Sequence, residues 1–178
     1  MPKEKPNLKL VQKRIANIAI GGSTLRNQGA KDVTKKAIDF CLDLDLRLFS
    51  NVQTEEQFIN ILDELTKKLM DKFPAGVKQN YGAARKAINI FLEEVFYNRF
   101  LFEEYQLGNL GPLLEVPLDK DVANGLIKDI GKEDMPAWIS IKGLKSEDSR
   151  KFQDAAKEIA KKKEILRIFL DLEYWRRN

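Results

Sequence analysis

Apolar residues recur along this chain with the spacing of a helix and almost never with the alternation of a strand. The clearest case follows Thr54-Glu55-Glu56-Gln57. That tetrad is a capping box: the Thr54 hydroxyl and the Gln57 amide each satisfy a backbone N–H that the first turn leaves open. Behind it Phe58, Ile61, Leu62, Leu65 and Leu69 fall on one stripe, and Pro74 stops the run just past Lys72. Leu8–Ala19 reads as a short amphipathic helix. Asp32–Phe49 reads as a second, with Val33, Ala37, Phe40, Cys41, Leu44 and Leu48 on its stripe. A long one over 83–107 carries Phe91, Phe96, Tyr97, Phe100, Phe102 and Tyr105, most of them expected in the core. Lys120–Ile130 follows and ends at Gly131, a C-cap residue. Ser146–Lys163 is a charged helix and Ile165–Trp175 a final apolar one. The expected fold is all-α: a single compact helical domain over residues 1–178, with seven to nine helices.

Composition narrows the chemistry. At 178 residues the chain suffices for one sizeable core. A net charge of +4 permits nucleic-acid binding without demanding it. The single cysteine, Cys41, excludes an internal disulfide and a four-cysteine cluster within the chain, and reads as a core residue. There is no histidine. That removes a serine triad, a histidine base and a histidine-ligated zinc site. No metal site and no cofactor is expected. No run approaches the ~18 apolar residues of a membrane span. Met1-Pro2-Lys3-Glu4-Lys5-Pro6 has basic residues but no apolar stretch behind it, so the expectation is a cytoplasmic or nucleoid protein with no membrane partner.

Two segments carry chemistry. Tyr81-Gly82-Ala83-Ala84-Arg85-Lys86-Ala87 places small residues at a helix start, with a lysine one turn in. Val116-Pro117-Leu118-Asp119-Lys120-Asp121-Val122 places an aspartate at the head of another. An unprotonated amine can attack the anomeric carbon of a nucleotide, and a neighbouring carboxylate can take its proton or stabilise a sugar cation. Small residues let backbone N–H groups approach a phosphate. Taken singly, Lys86 is also a solvated helix residue and Asp119 an ordinary N-cap.

Together, in this order, the segments resemble the paired signature of the helix-hairpin-helix DNA glycosylase superfamily. There a Gly-x-Gly-Arg-Lys-Thr-Ala-like hairpin carries the nucleophilic lysine, and a Val-Asp-x-His-Val-like segment carries the aspartate. The hairpin here reads Phe73-Pro74-Ala75-Gly76-Val77-Lys78-Gln79-Asn80-Tyr81-Gly82; its second glycine is Ala84, and Asp121 stands where the family has histidine. The long interval from Lys86 to Asp119 is most like the archaeal 8-oxoguanine DNA glycosylase branch. The resemblance implies a helix-hairpin-helix element at about 60–92. It implies base excision from double-stranded DNA, with strand cleavage at the resulting site, by a monomer with Lys86 and Asp119 as catalytic residues. Lys78, Asn80, Gly82, Ala84 and Arg85 are the expected DNA contacts.

The polar loop Gly21–Gly29 between the first two helices is either a plain connection or a wall of the base pocket. By resemblance Gln28 reads the base edge; Arg26 binds phosphate or a carboxylate. Trp138 either stacks on the extruded base or plugs the core. Phe152 and Gln153 are candidates for the opposite wall. Lys161-Lys162-Lys163 reads as a solvated helix end. Two other functions compete with the enzyme: a non-catalytic helix-hairpin-helix DNA-binding module, and a helical interaction protein without a DNA role.

Overall fold

The sequence pattern gives eight α-helices and no strand among the described residues, which in this computed structural model are 6–28 and 30–175. Met1–Lys5, part of the N-terminal stretch read for a leader, and Gly29, the end of the Gly21–Gly29 loop, lie outside them. The helices are α1 (Leu8–Ala19), α2 (Val33–Leu42), α3 (Glu55–Lys72), α4 (Tyr81–Tyr97), α5 (Arg99–Glu104), α6 (Lys120–Ile130), α7 (Ser146–Lys163) and α8 (Phe169–Tyr174). They form one compact all-α domain. None of them is long and apolar enough to cross a membrane.

The capping box on α3 forms as the sequence requires: Gln57 N–H donates to Thr54 Oγ1 at 3.2 Å, and Gln57 Oε1 accepts from Thr54 N–H at 3.3 Å. Three helices are shorter than their apolar stripes suggest. α2 stops at Leu42, not Phe49, because Asp43 and Asp45 bring negative charge to a helix C-terminus. Asp45 instead accepts from Arg47 N–H and opens a separate 3-10 turn, Leu46–Phe49. The long helix expected over 83–107 breaks at Asn98. Its extended backbone ends α4, and its side chain caps α5 by accepting from Leu101 N–H at 3.1 Å. The aromatic set divides accordingly: Phe91 is fully buried, Phe96, Phe102 and Tyr105 pack on the core edge, and Tyr97 and Phe100 are exposed. The final helix begins only at Phe169, after Glu164 has closed α7 in the left-handed region.

Two apolar clusters result. The larger is built by α1 to α5 around Phe58, Leu62, Phe91 and Leu69. The smaller joins α6, α7 and α8 around Leu126, Phe152 and Tyr174. Gly125 permits that second cluster, since a Cβ there would lie 2.3 Å from the Tyr174 ring. Segment 113–118, which belongs to no helix, crosses from one cluster to the other. α3 and α4 pack against each other and are joined by residues 73–80, which include a 3-10 turn at Ala75–Val77.

Candidate functional site

α4 supplies two adjacent cations that point to different partners. Arg85 turns inward. Its Nε and Nη2 each donate to Glu115 at 2.8 Å, and Nη1 donates to Asp63 at 2.9 Å and to Thr66 at 3.2 Å. Asn89, one turn on, also donates to Glu115 at 2.9 Å. Burial alone would push the Glu115 carboxyl up; the hydrogen bonds and charge of Arg85 outweigh it and hold the group below the usual carboxylate range. A buried guanidinium already gripped by carboxylates is not available to a phosphate, so the DNA contact expected of Arg85 is replaced by an internal role.

Lys86 points into the seam between the two clusters. Its Nζ lies 3.4 Å from Asp119 Oδ2. The lysine is buried, and the Asp119 side chain is 33 % exposed, so the pair opens to solvent on the aspartate side. Asp119 is also the N-cap of α6, and the two functions fall on different oxygens. Oδ1 accepts from Asp121 N–H at 2.9 Å and Val122 N–H at 3.0 Å, leaving Oδ2 to face the lysine.

The connector that delivers Asp119 is fixed along its length. Arg167 donates to the carbonyls of Leu113 at 2.7 Å and Leu114 at 2.9 Å. Arg85 holds Glu115. Gln153 accepts from Val116 N–H at 3.1 Å and donates to Val116 carbonyl at 2.8 Å, in the manner of a neighbouring strand. Gln153 is therefore committed to the backbone. Phe152 is fully buried in the second cluster. It also lines a small cavity beside Trp138 and Leu144.

The other expected base-pocket residues do meet. Arg26, Gln28 and Trp138 line one cleft of about 350 Å³, with Lys120, Ile141 and Lys142 among its other walls. Among the described residues three cations and no carboxylate line this space. Trp138 is partly buried: it packs edge-on against Phe152, ring centroids 5.6 Å apart, and also lines the cleft. Gln28 is buried. Its Nε2 donates to Arg26 carbonyl at 2.9 Å, and its Oε1 accepts from Asn80 Nδ2 at 3.0 Å. Lys86 does not line the cleft. The two are joined through Lys120, which follows Asp119 in the chain, and through Ile141, which lies against Gly82 one helical turn before Lys86.

The hairpin residues are tighter than a phosphate cradle requires. A Cβ on Gly82 would stand 2.0 Å from the Ile141 carbonyl oxygen, so the close approach at this glycine is to the 3-10 turn Ile141–Gly143. Ala84 is fully buried. Asn80 is buried and caps α4 by accepting from Ala83 N–H at 3.0 Å. Of the expected DNA contacts, Lys78 alone is exposed.

Two acids that act on each other, Glu93 and Asp171, carried no motif. Glu93 lies two turns further along α4 and Asp171 lies on α8. Burial first, and the charge of Asp171 second, push Glu93 up to about 8. Burial first, and then the charge of Asp119, push Asp171 up to about 6, against the opposing pull of Lys86. The seven-residue spacing of Glu93 from Lys86 was a signal for a shared helix face; Asp171 had none, because α8 arrives only by tertiary packing. Among the described residues no group of acids and cysteine is arranged to hold a metal. Comparison of the chain with family models, with curated proteins and with solved structures finds no match.

Proposed function

We propose that this protein is a DNA glycosylase of the helix-hairpin-helix type, most like the archaeal 8-oxoguanine DNA glycosylase branch. It acts on a damaged or modified base in double-stranded DNA, in repair or in defence against modified foreign DNA. The observation that carries the reading is the 3.4 Å approach of Lys86 to Asp119 across the seam. Two residues singled out by their separate motifs meet in one partly closed place. A cleft with three cations, an indole and an amide adjoins it, and suits a planar ligand on a phosphate backbone.

The chemistry follows from the pair. A base must leave the stack before its glycosidic bond can be reached. Asp119 accepts a proton from the Lys86 ammonium, and the free amine attacks C1′ of the extruded nucleotide. The C1′–N bond breaks, and the base departs with the bonding electrons and a proton. Opening of the sugar leaves an iminium between Lys86 and C1′. Loss of a C2′ proton then expels the 3′ phosphate and nicks the strand. The scheme uses no metal and no organic cofactor.

Borohydride tests it. Duplexes carrying oxidised, alkylated, deaminated or hypermodified bases are incubated with the protein and the reductant. Hydride reduces the iminium to a stable amine, so a covalent adduct that disappears in Lys86→Gln is the expected result. Salt-dependent binding without an adduct on any duplex would identify a non-catalytic DNA-binding module. Neither adduct nor binding would leave a helical protein without a DNA role.

A further inference from the structure

Among the described residues Ile139 is the most exposed large apolar side chain, at 84 %. A lone surface isoleucine needs no explanation in itself. This one stands on a fixed base. On its N-terminal side Trp138 is held edge-on by the buried Phe152. On its C-terminal side the chain enters the 3-10 turn that is pressed onto Gly82, with Gly143 N–H donating to Ser140 Oγ at 3.2 Å. The side chain therefore projects from the lip of the 350 Å³ cleft with little freedom of its backbone.

The surroundings state what it meets. Arg26, Lys120 and Lys142 line the same cleft, and among the described residues no carboxylate does. On its other side Ile139 shares a small cavity with Asp148, so the cations lie on the cleft side of the tip. An apolar tip with cations along one side is matched by a polyanion with an apolar interior, which describes a base stack between two phosphate backbones. A flipped nucleotide leaves a hole in that stack. Proteins that distort DNA fill such gaps with isoleucine, leucine, methionine or phenylalanine.

We propose that Ile139 is the wedge that enters the duplex at the gap left by the extruded nucleotide and keeps it from returning. This rests on the glycosylase reading. Ile139 is a positioning residue; it touches neither the sugar nor the departing base.

Two measurements on the full chain separate this proposal from the reading beneath it. The first is binding to a duplex with 2-aminopurine opposite a tetrahydrofuran abasic analogue. Wild type and Ile139→Leu should change the fluorescence at saturation, and Ile139→Ala should not, at unchanged melting temperature. The second is borohydride trapping on a substrate duplex and on the same strand alone. Ile139→Ala should lower single-turnover trapping by about ten-fold or more on the duplex and leave the single strand within about two-fold. Wild-type fluorescence and wild-type duplex trapping in Ile139→Ala would overturn the wedge while leaving the glycosylase intact. Isoleucine-dependent fluorescence with no adduct on any base would do the reverse. No binding of wild type to any duplex overturns both.

Discussion

Arg85 grips Glu115 through two parallel 2.8 Å hydrogen bonds, and that grip sets where Asp119 stands four residues later. The segment between them belongs to no helix and passes between two apolar clusters, so without fixed points it would have several registers. Arg85, Gln153 and Arg167 provide those points from three different helices or turns. Lys86 is one residue from Arg85. A single stretch of α4 thus both presents the amine and places its carboxylate.

Arg85→Ala should destabilise the fold by about 3 kcal/mol or more, because it leaves the buried Glu115 charge unpaired. Urea unfolding measures this. Since Arg85 faces inward, the salt slope of DNA binding per folded molecule should not change. A slope reduced by about one would restore the phosphate contact that its sequence position suggested.

Asp119→Asn separates the two oxygens. Asparagine keeps an acceptor for the N–H groups of Asp121 and Val122, so stability should change by under about 1 kcal/mol. The other atom becomes an amide nitrogen facing the amine, with no charge and no lone pair for its proton. Borohydride trapping should fall strongly. A large drop in melting temperature with undiminished activity per folded molecule would reduce Asp119 to a helix cap.

The fold class and the lysine–aspartate pair were legible because each rests on a local rule: helical periodicity, a capping box, a small-residue turn, an N-cap. What the sequence concealed is which side each neighbour faces. Arg85 and Lys86 are adjacent cations, and only the packing of α3 and segment 113–118 turns one inward. Gly82 in the sequence suggests room for a phosphate and in the fold is room for Ile141, since a glycine announces a close approach without naming the partner. Gln153 pairs with the Val116 backbone, where the sequence equally suggests a base, because an amide can pair with either. Asp171 was silent because α8 reaches the seam through its tertiary contacts alone.

Gly82→Ala should therefore act on the fold before it acts on DNA. A methyl 2.0 Å from the Ile141 carbonyl requires the 3-10 turn to move, at a cost of about 1–3 kcal/mol. Duplex binding should weaken for modified and unmodified DNA alike, because that turn carries Lys142 and follows Ile139 by two residues. Gln28→Ala leaves Asn80 Nδ2 without its acceptor at 3.0 Å and should cost about 1–3 kcal/mol, with a change in which base is released. Unaltered base selectivity across a panel of modified duplexes would confine Gln28 to bracing Asn80.

The carboxyls of Glu93 and Asp171 give the protein a pH dependence of definite sign. Glu93 is raised from 4.5 to about 8 and Asp171 from 3.8 to about 6. Both are harder to ionise when folded than when unfolded. Their contribution to stability is therefore complete below about pH 4 and is lost as pH rises toward about 8. Glu115, held below the ordinary range, works in the opposite sense and loses its contribution only in stronger acid. The groups facing the raised pair are Glu94 and Tyr97 on α4, with Tyr97 donating its hydroxyl to Glu93 at 3.3 Å, and Lys86, Asp119 and Asp121 at the seam. Glu93→Gln removes the larger shift without changing the side chain's size. It should raise stability above pH 8 by more than about 1 kcal/mol and have little effect below pH 5. Thermal melts of both proteins from pH 4 to 9 measure the difference. Curves that run parallel over that interval would mean that Glu93 remains ionised in the folded protein.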